Sequence, residues 1–307
     1  MKLMFALLCL TALLFASDIK PKKSIKLDSP ALDMVIKNSK LYACTEKGDV
    51  YEVDSRAKKI YSLPQTTLPS GSKGIQKAFT LDVSSANIAV GAEDGSLYIS
   101  KGNALIKSGF STNSVIKKIA FVSDNLILIG LVSSQVVLFD ISKNKSVYSL
   151  QIGTSPFSDL ALSKDKKTAA IGGEAGTVYL LDVQGGKIKK TYKNVNLDNI
   201  YKIDYQSSVI ITAGQDRKAT VMTDSGIVKT KFEGEFLIYA AALSPSAAKA
   251  AVATKEQNDI EVFDVVTKSK IALAKGLSST LNRIVFLNEH EFAACADENK
   301  ILIWGIK

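Results

Sequence analysis

The stretch LALSKDKKTAAIGGEAGTVYLLDVQGGKIKKTY, residues 160–192, carries the grammar from which the rest of the chain can be read. It opens on a short apolar strand, Leu160 to Leu162, followed by a polar turn, SKDKK from Ser163. A strand of small residues comes next, AAIGG from Ala169, and then a turn holding an acid and a glycine. The segment AGTVYLLD ends at Asp182, and a lysine-flanked strand, KIKKTY from Lys187, completes the unit. Short apolar runs punctuated by Gly, Asp and Ser turns are strand signals. Four antiparallel strands in roughly 40 to 45 residues make one blade of a propeller.

The unit recurs along the chain. Its third strand reappears as KGDVYEVD ending at Asp54, DGSLYIS at Ser100, SSQVVLFD at Asp140, RKATVMT at Thr223, NDIEVFD at Asp264 and NKILIWG at Gly305. With Asp182 included, the gaps between these ends are 46, 40, 42, 41, 41 and 41 residues. A first strand precedes each: Met34 to Ile36, Leu81 to Val83, Ile119 to Phe121, Leu160 to Leu162, Ile203 to Tyr205, Ala241 to Leu243 and Ile284 to Phe286. Small residues on the second strand (ITAG from Ile211, AVAT from Ala251) suit the narrow space where blades press together around an axis. The predicted fold is all-β, a seven-bladed β-propeller of four-stranded antiparallel blades. The last repeat stops after its third strand, Trp304 to Lys307, so the spare strand SIKL, Ser24 to Leu27, is predicted to seal the ring. Closure also removes the free edges through which sheets aggregate. The long first gap is assigned to a surface loop, TTLPSGSKG from Thr66 to Gly74.

The N-terminus reads as an export signal. Lys2 is followed by an apolar run from Leu3 to Phe15, broken only by Thr11, and then by small residues Ala16 and Ser17. That run falls short of the about 20 residues needed to span a bilayer. Residues 1–17 are therefore expected to be cleaved and 18–307 to form one propeller, periplasmic and without a stable membrane anchor. Lipid attachment at Cys9 is disfavoured by the bulky Leu7 and Leu8 before it. Cys44 and Cys295 remain, too few for a disulfide framework. They share one register in adjoining blades, where α-carbons should lie beyond disulfide reach, so both are expected to be free and buried. The net charge is +9, and arginine occurs only at Arg56, Arg217 and Arg283. Lysine excess on an exported chain points to solubility or an acidic protein partner, and away from nucleic acid, whose readers favour the arginine fork.

Chemistry is sparse. The single histidine, His290, lies in a polar turn and has no sequence-evident partner for a triad. One histidine and two distant cysteines do not compose a zinc or copper site. Glu93 and Asp94 could offer oxygens to calcium, although GAEDGS also reads as a hairpin turn. No cofactor is expected, and the chain is expected to be a non-enzymatic monomer.

The period and strand grammar resemble the WD40-repeat family over the whole of residues 18–307. The signature is weaker: Phe139-Asp140, Leu181-Asp182 and Phe263-Asp264 stand where the family has Trp-Asp, and Trp304 is followed by Gly305. Segments such as GEAGTVYLLD also resemble the quinoprotein-type blade. The resemblance implies that the second-to-third-strand turns share one rim with the loops entering each blade. That rim would carry Glu46, Glu93, Glu174, Asp216, Glu256 and Asp297, and the opposite rim a lysine set including Lys59, Lys143, Lys164, Lys166 and Lys270. An export signal with divergent repeats such as AGQDRKATV, residues 213–221, further resembles the NapL-type periplasmic accessory propellers of nitrate reductase systems. It implies a scaffold or accessory role, with periplasmic nitrate reductase components as partners. Outer-membrane assembly scaffolds and propeller enzymes of the lactonase or quinone-dependent dehydrogenase type are the alternatives.

The candidate site is the channel mouth. Just before each first strand's apolar pair stand Asp33, Thr80, Lys118, Asp159, Lys202, Ala240 and Arg283. Asp33, Lys118, Asp159, Lys202 and Arg283 are the candidate partner-binding residues. Neighbours of opposite sign, Lys118 with Asp159 and Arg283 with Asp33, are expected to pair, so the ring reads either as a binding mouth or as an internal ion-pair belt.

Overall fold

The computed structural model describes residues 17–67 and 71–306. Residues 1–16 of the expected export signal, and 68–70 in the Thr66-to-Gly74 loop, lie outside the described residues. The chain folds into seven four-stranded antiparallel blades arranged in a ring, a seven-bladed β-propeller. The innermost strands, in chain order, are Ala31–Lys37, Ala78–Val83, Ile116–Phe121, Phe157–Leu162, Ile200–Gln206, Ala241–Leu243 and Leu281–Asn288. Because strands alternate in direction, the start of each inner strand and the second-to-third-strand turn share one rim, called upper here. The first-to-second-strand turns lie on the lower rim.

Closure follows the predicted route. Lys23–Lys26 pairs antiparallel with Lys300–Gly305 as the fourth strand of blade seven, with Ser24 opposite Leu302 and Ile25 opposite Ile301. The pairing extends through Lys22 N donating to Ile303 O at 2.7 Å and Leu27 N to Asn299 O at 2.9 Å. Ile25 and Leu27 are buried where blade seven meets blade one, beside Met34, Ala293 and Cys295. The structure adds a strand that the periodicity did not suggest. Ser17–Ile19 runs parallel to Lys270–Ala274 and becomes a fifth strand on blade six, with Asp18 ion-paired to Lys275 at 2.8 Å. The N-terminal segment thus ties two blades together. In the first long gap, Thr66–Thr67 and Lys73–Gly74 form a minimal hairpin.

The core lies between blades, and one packing rule recurs. A β-carbon on Gly91 would stand 2.7 Å from Ile116, one on Gly130 only 2.1 Å from the Phe157 ring, and one on Gly172 2.8 Å from Ile200. In each case a second-strand glycine makes room for the first apolar residue of the next blade's inner strand, a close approach that interior packing density forces. This is the physical origin of the small-residue second strand. In blade seven, Trp304 is buried, stacks on Phe292 at 5.2 Å and donates Nε1–H to Lys275 O at 3.1 Å.

The aspartate that ends several third strands makes the following turn. Asp140 accepts from Ser142 N at 3.0 Å and Lys143 N at 3.1 Å, and Asp182 accepts from Gly185 N at 3.2 Å. Asp264 accepts from Val266 N at 2.9 Å and Thr267 N at 2.7 Å. These side-chain caps stand in for backbone turn bonds, and they explain why aspartate recurs where the aromatic partner does not.

Candidate functional site

Six of the seven inner strands carry a β-bulge at an equivalent place, skipping one residue before the position singled out from the sequence. The skipped residues are Leu32, Phe79, Lys117, Ser158, Tyr201 and Asn282, and in blade six Tyr239 holds the corresponding place. Bulges re-aim side chains. Here they turn residues onto the upper rim, where Tyr201 OH donates to Gln215 Oε1 at 2.9 Å, Ser158 Oγ to Asn199 Oδ1 at 2.9 Å and Asn282 Nδ2 to Asp297 Oδ1 at 2.9 Å. Each of these acceptors lies in an upper-rim turn or entry loop. Tyr201 and Tyr239 stack at 5.0 Å and 27°, with Phe236 against Tyr239 at 6.4 Å. Both tyrosines are partly exposed. Phe236 is 39% exposed, and Leu197, in the loop entering blade five, is 79% exposed.

Below the bulges lies the ring of charges. The structure brings Asp33, Lys118, Asp159, Lys202 and Arg283 together on the axis, one level beneath the mouth. Asp33, Lys118 and Asp159 are 3%, 6% and 1% exposed. Their pairing meets the sequence expectation in part: Arg283 reaches Asp33, whereas Lys118 pairs with Asp33 and not with Asp159. Lys118 Nζ binds Asp33 Oδ2 at 2.6 Å, and Arg283 Nη1 binds Asp159 Oδ2 at 2.8 Å, with Arg283 Nε 3.7 Å from Asp33 Oδ1. Lysine and arginine are long enough to reach past the adjacent blade or across the axis, so sequence neighbours in the ring need not be partners.

Asp33 is the hub. It also accepts from Thr80 Oγ1 at 2.8 Å, from Met34 N at 3.0 Å and from Leu81 N at 3.4 Å in the next blade. Asp159 repeats the device, accepting from Leu160 N at 3.0 Å and from Ile203 N of the next blade at 3.1 Å. Burial alone would raise the Asp33 pKa, but Lys118, Arg283 and Lys202 override it and bring it down to about 2. Burial likewise opposes the charge on Arg283, yet Asp159 and Asp33 hold its pKa above the ordinary value. Lys202 is half-buried, and its pKa is lowered by burial against the pull of Asp159.

A second acidic pair was not singled out from the sequence. Asp82 and Asp204 lie two residues beyond Thr80 and Lys202 on the same strands, so they share the axial side of the pleat. Asp82 accepts from Val83 N at 2.8 Å and Phe121 N at 2.6 Å, and Asp204 from Tyr205 N at 2.8 Å and Leu243 N at 2.9 Å. Each staples its blade to the next. Burial raises both pKa values, with the backbone donors working against it. The signal available was this two-residue spacing from the ring already identified.

Other sequence candidates fall outside this centre. His290 is exposed in its turn, its backbone N donating to Asn288 Oδ1 at 2.8 Å. Glu93 and Asp94 form an upper turn in which Asp94 Oδ1 accepts from Ser96 N at 2.9 Å. Among the described residues, no three His, Cys, Asp or Glu side chains cluster closely enough to hold a metal ion. Cys44 and Cys295 are free and buried, opposite Asp33 and Arg283 on the neighbouring strands. Burial pushes the Cys44 thiol well up and the Cys295 thiol to about 12.

Several of the charges expected on the two rims are satisfied locally. Glu46 pairs with Lys77 at 2.6 Å on the upper rim. Elsewhere Lys59 pairs with Asp49 at 2.9 Å, Lys143 with Asp140 at 3.2 Å and Lys270 with Glu261 at 3.0 Å. No protein-family model matches this chain, and no curated protein matches it.

Proposed function

We propose that this propeller is an exported, non-catalytic scaffold that docks a partner protein on its upper rim. The observation that carries the reading is the stacked Tyr201–Tyr239 pair on the upper rim, Tyr201 turned there by the bulge of its strand and Tyr239 placed just before the blade-six inner strand, with Phe236 against Tyr239 and exposed Leu197 in the loop entering blade five. Rigid, partly exposed aromatics are the usual energetic anchors of protein interfaces. The charged belt beneath supports the docking surface: its groups face one another, which suits a stiff floor better than a reaction centre. In this reading Asp33, Lys118, Asp159, Lys202 and Arg283 serve binding by fixing the mouth. The NapL-type resemblance of the sequence, with its export signal, makes periplasmic nitrate reductase components the partners proposed first.

The test is affinity capture from native periplasm with the purified protein and with its Tyr201→Ala/Tyr239→Ala variant. Nitrate reductase components should be retained by the parent and lost by the variant. An anchor of about 2 kcal/mol corresponds to roughly thirtyfold weaker binding. Equal capture by a folded variant would remove the upper mouth as the docking surface. Capture of outer-membrane assembly proteins would keep the scaffold and replace the partner.

A further inference from the structure

The axis holds a second feature, separate from the aromatic mouth. A cavity of about 370 Å³ opens on the lower rim and runs up the axis to Lys118 and Arg283, which form its floor. Its walls are small and apolar at Val35, Ala120, Ala161 and Val285, with Asp82 and Asp204 on two of the blades. Lys37, Lys164 and Lys166 stand among the lining residues toward its opening.

We propose that this lower axial cavity binds a carboxylate ligand, either a free polycarboxylic acid or the carboxyl end of an acidic peptide. The volume lies in the range of small-ligand sites, which combine apolar walls with a few placed polar groups. The charge has the right sign and is available. Asp82 and Asp204 are the wall carboxylates, and their oxygens are already held by backbone N–H groups of their own and the next blade. Among the described residues, Lys37 and Lys164 make no ion pair, and Lys166 Nζ donates only to Phe121 O at 2.6 Å. Lys37 and Lys164 at the opening are therefore the cations left to meet an anion. At the floor, Arg283 Nε is buried without a hydrogen-bond acceptor, 3.7 Å from Asp33. That atom belongs to a guanidinium ion-paired with Asp33 and Asp159 and has no surface open to the cavity, so the groups that can meet an anion are the lysines at the opening.

Isothermal titration with citrate, and with tetraglutamate bearing a free or an amidated C-terminus, tests the site on the intact processed protein. Citrate or free-ended tetraglutamate should bind with a dissociation constant of about 1 mM or tighter. Raising salt should weaken it, and Lys37→Gln/Lys164→Gln should weaken it at least about tenfold. Both lysines sit at the opening and are unpaired, so this variant keeps the parent's melting temperature, which is measured alongside. Citrate binding without peptide binding identifies a free acid as the ligand. Preference for the free over the amidated peptide identifies a chain end. Absence of binding by every probe, binding that the double variant leaves unchanged, or equal binding of the two peptides without citrate overturns the proposal.

Discussion

Replacing Asp33 with alanine should be among the most damaging single changes available to this ring. Asp33 is 3% exposed and is the acceptor for Lys118 Nζ at 2.6 Å, Thr80 Oγ1 at 2.8 Å and two backbone N–H groups. The alanine variant leaves the 6%-exposed Lys118 ammonium without its counter-ion and removes one of two carboxylates from Arg283. Breaking a buried pair from one side costs about 3–5 kcal/mol, because the remaining charge is stranded. At roughly 2 °C per kcal/mol for a chain of this size, the melting temperature should fall by about 6–10 °C. The pH dependence has a definite sign. The Asp33 carboxyl is held down to about 2 when folded, against 3.8 for an ordinary aspartate, so its contribution is complete above the higher value and lost as pH falls through the lower. The deficit of the variant should therefore be constant from neutral pH to about 4 and shrink below that. Urea unfolding at a series of pH values, followed by far-ultraviolet circular dichroism, measures it. Adding Lys118→Met should restore at least half of the loss, because the stranded charge goes with it. A variant within about 1 kcal/mol of the parent at neutral pH, or a double variant no better than the single, would refute the hub role.

Two further outcomes follow from the packing. Gly130→Ala puts a β-carbon 2.1 Å from the buried Phe157 ring and should destabilise by about 1–3 kcal/mol, with Phe157→Leu relieving part of it in the double variant; additive losses would contradict the contact. Cys44 and Cys295, buried and with raised thiol pKa values, should resist iodoacetamide in the native protein and react fully in denaturant, as mass spectrometry would show.

The ring was legible because its cause is repetitive. Each blade needs an apolar inner strand and a small-residue second strand, so a period near 41 residues exposes both, and SIKL was recognisable as the missing fourth strand. Ser17–Ile19 was not legible, since three residues leave no alternation to read. The bulges were equally silent. A bulge changes which residue faces the mouth without altering composition, and so Tyr201 was not singled out; Tyr239, just before the unbulged Ala241–Leu243 strand, carried no repeat signal either. The five charged positions were found, but the pairing of Lys118 with Asp33 depends on how far a lysine reaches inside a channel of this width. That length is a property of the closed ring and appears in no local pattern.

The ring that carries both the aromatic mouth and the lower cavity is sealed at blade seven by the N-terminal segment. Hydrogen exchange of the purified protein, read by mass spectrometry on peptides covering residues 22–27 and 300–305, tests that most directly. The Lys22–Ile303 and Leu27–Asn299 bonds predict that the two segments are protected together and open with one shared free energy. Exchange of residues 22–27 at the rate of an unstructured peptide, while 300–305 stays protected, would contradict the closed ring.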